Sequence, residues 1–135
     1  MFSDDNIKDL IKIAKKGDVD AQYRLGYCYE KGIGVKINPD RAVKWYKKAV
    51  KQGYAEAQYR LGFYYYSTNS YAHRRPAVDL YERAAQQGHA KAQYELAKDY
   101  ERMYRHEPIF EIYRNLAIEC IKELLRKVMS KLKML

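Results

Sequence analysis

Three histidines and two cysteines are the side chains of this 135-residue chain best suited to acid–base, nucleophilic or metal chemistry. Catalysis needs a nucleophile, a base and an orienting group within hydrogen-bond reach. His89 directly follows Gly88 and reads as a turn residue rather than a base. His73 lies in a basic turn and His106 precedes a proline-started helix, and neither has a partner at a recognisable spacing. Cys28 sits between the glycine and the core tyrosine of a recurring motif, and Cys120 on an apolar helix stripe, so both read as buried fillers. Three scattered histidines and two distant cysteines make no metal set, and no metal or other cofactor is expected. The glycines of "EKGIGVKINPD" have no preceding strand and no Gly-Lys-Ser or Gly-Lys-Thr ending, so they are not a phosphate loop. The residues therefore point away from an enzyme.

Composition narrows the class further. Lys and Arg number 26 against 17 Asp and Glu, a net charge of +9. The sharpest local excess is the tail 122–135, with five basic residues and one acidic. Such charge favours solubility and anionic partners without naming one. The N-terminus "MFSDDNIKDL" lacks a basic start followed by an apolar run, and no stretch of about 18 apolar residues occurs. A soluble, cytoplasmic protein with no transmembrane segment is expected, and two unpaired cysteines fit a reducing compartment.

The elements that must carry these residues are announced by repetition. "AQYRLG" occurs at 21–26 and again at 57–62, and "AQYELA" follows at 92–97, at spacings of 36 and 35. Around each copy the apolar positions step as on one helix face: Ala21, Leu25, Tyr29; Ala57, Leu61, Tyr65; Ala92, Leu96, Tyr100. Gly17, Gly53 and Gly88 stand four residues ahead, where a left-handed glycine stops the preceding helix. A second helix follows in each unit, marked by Ala42, Trp45, Tyr46 and Ala49, then by Ala77, Leu80, Tyr81 and Ala84. Asn38 caps the first of these with Pro39 at its first position, and Pro76 is expected to play a similar part in the second. Small residues such as Ala21, Gly26, Ala42 and Ala49 let neighbouring helices approach, so units stack into a one-dimensional body.

The pattern "AQYRLGYCYEKGIGV" followed by "PDRAVKWYKKAVKQGYAEAQ" resembles the Sel-like repeat family, related to the tetratricopeptide repeat. The resemblance is specific over 18–56, continues through 57–91 with the glycine turn replaced by "YSTNSYAHRR", and weakens in the third copy. It implies an all-α superhelix, a solenoid of about three repeats at 18–53, 54–88 and 89–128. A capping helix at 4–16 and a final helix to about 133 bring the expectation to seven helices and no strands, in one domain over 1–135. Family members commonly act as scaffolds. A subgroup with paired cysteines in each repeat is linked to penicillin-like ligands, and this chain lacks those pairs.

At about 100° per residue, Tyr23, Tyr27 and Glu30 face away from the core stripe, with Arg24 on one flank. The corresponding sets are Tyr59, Arg60, Phe63 and Tyr66, and then Tyr94, Glu95, Lys98 and Glu101. First helices of such solenoids line the concave side, so an aromatic groove flanked by charge is expected there, suited to an extended peptide. Arg24, Tyr27, Arg60, Phe63, Tyr66 and Lys98 are its candidate contacts, whereas Tyr23 and Tyr59 read as packing residues. The leading function is a non-catalytic adaptor for a segment of another protein. The alternative is sequence-tolerant RNA or single-stranded DNA binding, with lysines on phosphates and tyrosines on bases. "FYYYSTNSYAHRRP" reads as a polar, tyrosine-rich loop. The final helix carries apolar residues on to Leu132 and Leu135, enough for a capping helix, a homodimer contact or a hold on an anionic membrane.

Overall fold

In the structure, a computed structural model that describes residues 4–68, 70–103, 105 and 110–133, the chain forms helices joined by short turns. They are α1 (Asp4–Lys15), α2 (Val19–Lys31), α3 (Pro39–Lys51), α4 (Ala55–Ser67), α5 (Tyr71–Gln86), α6 (Ala90–Met103) and α7 (Phe110–Lys133). These seven are the helices among the described residues, and no strand occurs among them. The main contacts all run between consecutive helices, the signature of a stack that grows in one direction. His106, Ile109 and Leu135 lie outside the described residues.

Local signals set the helix ends. The Asp18 carboxylate accepts from the Ala21 amide at 2.8 Å, and Asn38 Oδ1 accepts from the Arg41 amide at 3.1 Å. Gly53 and Gly88 adopt φ of 79° and 82°, a left-handed turn that a side chain resists, and so end α3 and α5. The core is built from the repeating positions: Ala21, Leu25, Tyr29, Ala42, Tyr46, Leu61 and Leu80 in one cluster, and Tyr81, Ala84 and Ala92 in the next. Burying a ring or leucine of this kind contributes on the order of 2 kcal/mol.

The recurring glutamine has its own reason. Gln22 and Gln58 are both buried, and each accepts from the glutamine that ends the next helix: Gln52 Nε2 at 2.9 Å and Gln87 Nε2 at 2.9 Å. The same two Nε2 groups donate to the carbonyls of Gly17 and Gly53. Gln22 in turn donates to the Ala14 carbonyl and Gln93 to that of Ala85, both at 3.2 Å.

The second unit departs from expectation. Pro76 does not open α5 but lies inside it, with the helix starting five residues earlier at Tyr71. The tyrosine-rich stretch is therefore helix up to Ser67 and helix again from Tyr71, and not a loop. Proline lacks the amide that would bond the Ala72 carbonyl, so the added turn needs side-chain support. It has some: the Thr68 hydroxyl donates to the Tyr65 carbonyl and lies 2.9 Å from His73 Nδ1, while the His73 ring lies 5.2 Å from that of Tyr65. Since Thr68 spends its hydrogen on the carbonyl, His73 Nδ1 is the donor of the pair. His73 thus has a partner that its position in the sequence did not reveal.

Close approach within each pair rests on glycine. A Cβ at Gly26 would lie 2.7 Å from two Tyr46 ring carbons and 3.2 Å from the Ala42 carbonyl oxygen. At Gly62 the corresponding distances, to Tyr81 and Ala77, are 3.1 and 3.2 Å. Gly26→Ala is therefore expected to destabilise the protein by ~2 kcal/mol. Gly62→Ala should cost clearly less, because the roomier site gives up less of the ~1 kcal/mol gained in helix propensity. Urea unfolding of the two variants checks the order, and an unchanged midpoint for Gly26→Ala would mean that Tyr46 moves aside freely.

Candidate binding groove

The outward residues of α2 and α4 meet across an open cleft of about 360 Å³, lined by Tyr23, Arg24, Tyr27, Cys28, Ile33 and Arg60. Three residues singled out from the sequence, Arg24, Tyr27 and Arg60, are thereby brought together. The Arg60 guanidinium stands 5.1 Å from the centre of the Tyr27 ring. Burial works against its charge, but the Tyr23 hydroxyl and Glu30 outweigh this and hold the group above its ordinary value. Its Nε is buried without a hydrogen-bond partner. Arg24 stays largely exposed at the rim, with Nε 2.8 Å from the Asp20 carboxylate one turn back.

Tyr23 packs as expected of a core-edge ring, 5.9 Å from Tyr46 and edge-on to Tyr54 at 5.4 Å. Its hydroxyl donates to Glu56 at 3.4 Å, and burial raises its pKa. Glu30, placed on the outward face by the helical wheel, turns instead to accept from the Tyr46 hydroxyl at 2.7 Å. Cys28 forms buried wall, and burial pushes its thiol up, which makes it a poor nucleophile.

Phe63, Tyr66 and Lys98 do not line this cleft. Phe63 is exposed beside Tyr59, with ring centres 6.3 Å apart. Tyr66 packs against the second core cluster and donates to Asp99 at 3.1 Å, with Arg102 over its ring at 5.2 Å. Lys98 sits 5.2 Å over Tyr94 and 3.7 Å from Glu95. His89 caps α6: its Nδ1 accepts from the Ala92 amide, which leaves Nε2–H to donate to Glu56 at 2.5 Å. The hydrogen bond from Tyr54 to Asp20 is the same contact one repeat earlier.

Two features were not read from the sequence. Ile33, in the glycine turn, closes one end of the cleft. Asp99 is 1% exposed, with Arg74 at 3.3 Å and Arg102 at 3.5 Å from one oxygen and no partner on the other. The signal for it was an acid set directly before the stripe residue Tyr100, where the earlier copies have Cys28 and Tyr64. Among the described residues no group of histidine, cysteine and acidic side chains could hold a metal ion, and no helix is long and apolar enough to cross a membrane. What the cleft offers is ring faces and guanidinium donors, suited to holding peptide groups and planar side chains.

The Sel1 repeat profile matches residues 19–54, 55–89 and 90–108. Among solved structures, a Sel1 repeat protein from Oxalobacter formigenes superposes with a TM-score of 0.73 at 28% identity, over 96% of this chain and 98% of that one. A protective antigen of uropathogenic Escherichia coli with an SLR fold gives a TM-score of 0.73 at 30% identity, over 90% of this chain and 26% of the antigen. Short stretches resemble DAP3-binding cell death enhancer 1, at 50% identity over 36 residues in Rattus norvegicus and 44% over 43 residues in Mus musculus. Those matches cover 27% and 32% of this chain, and the chain spans only 7% and 8% of those two relatives.

The buried hydroxyls make the packing testable. Tyr46 donates to Glu30, whereas the Tyr81 hydroxyl is buried with no partner. Tyr46→Phe is therefore expected to cost ~1 to 2 kcal/mol, and Tyr81→Phe to be neutral or slightly stabilising. Tyr23, Tyr46, Tyr54, Tyr59 and Tyr81 all have raised pKa values, chiefly through burial. Above about pH 10 the unfolded chain releases protons that the folded one keeps, so stability falls as pH rises, and below that pH these groups contribute no slope. Urea midpoints followed with tyrosinate absorbance should show that fall, shallower in Tyr81→Phe, and a flat profile would mean that the rings ionise while folded.

Proposed function

This chain belongs to the Sel1 repeat family, whose repeats typically serve as protein-interaction scaffolds, and from that premise we propose that it is a non-catalytic adaptor. It holds a segment of another protein along the face shared by α2, α4 and α6. The observation that carries this reading is the convergence of Arg24, Tyr27 and Arg60 on one open cleft. Phe63 and Lys98 extend the contact along the next two repeats, whereas Tyr66, expected among these contacts, is taken up by the core and Asp99. Ring faces hold a backbone at low entropic cost, and the guanidiniums meet its carbonyls or carboxylates. The free thiols Cys28 and Cys120 fit a reducing, cytoplasmic setting.

The charges favour protein over nucleic acid. On this face Arg24 is paired with Asp20 and Lys98 with Glu95, which leaves fewer free cations to follow a phosphate backbone.

The test is capture of partners by the tagged chain from extract of its source cells, with and without nuclease. The affinity of the retained partner is then measured. A protein partner that survives nuclease, and binds Tyr27→Ala/Phe63→Ala at least ~10-fold more weakly with helix content and melting unchanged, is the expected result. Bound material that vanishes with nuclease, and binding that collapses between low and moderate salt, would assign the surface to nucleic acid instead.

A further inference from the structure

A second groove lies across α2 from the peptide cleft, where α1 and α3 flank it. Tyr29 reaches it from α2, two residues from Tyr27 at about 100° each and so on nearly the opposite face. The groove consists of two adjoining recesses that share Tyr29 and Arg41. One, of about 330 Å³, is bordered by Lys15 and Ile11 of α1 and by Lys44, Trp45 and Lys48 of α3. The other, of about 380 Å³, is bordered by Val35, Lys36 and Ile37 of the glycine turn.

Five cations line this groove and no acid does. Among the described residues none of the five makes an ion pair. Asp40 stands one turn before Lys44 on α3 and pairs with none of them, and Asp9 falls on the far side of α1 from Ile11. Two of the cations rest on rings. The Arg41 guanidinium lies 5.7 Å from the centre of the Tyr29 ring and donates to its hydroxyl at 3.4 Å, and the Lys48 ammonium lies 4.6 Å from the centre of Trp45. A ring holds a cation in place without cancelling its charge. On the peptide face Arg24 and Lys98 have acids beside them; here the positive field is left standing for a ligand to meet.

We propose that this groove is a second protein-binding site, which takes a partner segment that combines acidic with large apolar residues. The cations call for carboxylates. The side chains between them call for apolar groups: Ile37 is 60% exposed, and Ile11 and Val35 line the same recesses. Aliphatic surface gains by leaving water against another apolar side chain, which a phosphate backbone does not supply. Bases would need an open ring face to stack on. Tyr29 is 7% exposed with Arg41 over it, and Trp45 carries Lys48. The observations therefore favour a peptide over a nucleic acid. With one groove on each side of α2, the chain can hold two segments at once.

Trp45 is the only tryptophan, so its emission reports on this groove directly. Random peptides displayed on phage are selected on the wild-type chain, and the enriched sequences are synthesised and titrated while Trp45 fluorescence is followed. Peptides that mix Asp or Glu with Leu, Ile or Phe should be enriched and should shift the emission. They should bind Lys15→Glu/Lys44→Glu at least ~10-fold more weakly and Ile37→Ser several-fold more weakly, with circular dichroism unchanged. Lys15→Gln/Lys44→Gln should fall between wild type and the charge reversal, which separates lost attraction from a damaged fold. Tyr27→Ala/Phe63→Ala should bind these peptides as the wild type does, which keeps this site independent of the peptide cleft. Enriched peptides that lack acids, that leave Trp45 unmoved, or that bind the charge reversal as tightly as wild type each overturn the proposal. So does an oligo-dT strand or a phosphatidylserine vesicle that shifts Trp45 at lower concentration than the best peptide, which would assign the groove to nucleic acid or to lipid.

Discussion

One amide sets the pitch of the stack. Where a left-handed glycine turn ends a helix, its carbonyl has no place in a helical ladder, and at these exposed turns a glutamine amide takes the place of water on it, a net gain of about 1 kcal/mol. Gln52 meets the Gly17 carbonyl and Gln87 the Gly53 carbonyl, and each also bonds the buried glutamine of the preceding AQY motif. Both partners of each amide are fixed, so a helix pair can join its neighbour in one register only. Stacking by apolar contact alone would tolerate sliding. The third residue of the motif, tyrosine, is then delivered to a set position on the far side of the helix, and the cleft between α2 and α4 follows from that placement.

Within the cleft the ordering of forces is similar. Arg60 leaves water at a cost, which Tyr23 and Glu30 offset, and its guanidinium stands over the Tyr27 ring. A side chain held in this way has little rotamer freedom left to lose on binding, which is the property a peptide contact exploits. The basic residues of the same face are mostly engaged with acids or rings already. A net charge of +9 therefore overstates how much free positive surface the repeat face presents.

The sequence was most legible where it repeated. Two helices per unit, the glycine stops, the Asn38–Pro39 start and the alternation of small and aromatic core positions all follow from period and type, and the structure has them. Arg24, Tyr27 and Arg60 could be placed on one face by the helical wheel, and they do meet. What the wheel cannot supply is rotation under competition. Glu30 turns toward α3 because a buried tyrosine hydroxyl there needs an acceptor, and Tyr66 is drawn inward by Asp99. Pro76 misled for a related reason: proline marks a first turn only when nothing else holds an earlier one. Here His73, Thr68 and Arg74 hold it.

The departures of the second unit form one coupled set. Position 30 is glutamate and accepts from Tyr46; its equivalent one repeat on is Tyr66, which cannot accept as a carboxylate does, and the Tyr81 hydroxyl is left unpaired. Tyr66 then has a hydroxyl of its own to place, and Asp99 of the third unit supplies the acceptor. A carboxylate that is 1% exposed would be untenable alone, and Arg74 and Arg102 stand beside it. Arg74 can reach it because α5 begins a turn early, in the segment that replaces the glycine turn. The altered turn, the extra tyrosine and the buried acid are thus parts of a single joint between the second and third repeats. That joint fixes α6, and with it Lys98 at one end of the proposed groove and the base on which α7 stands.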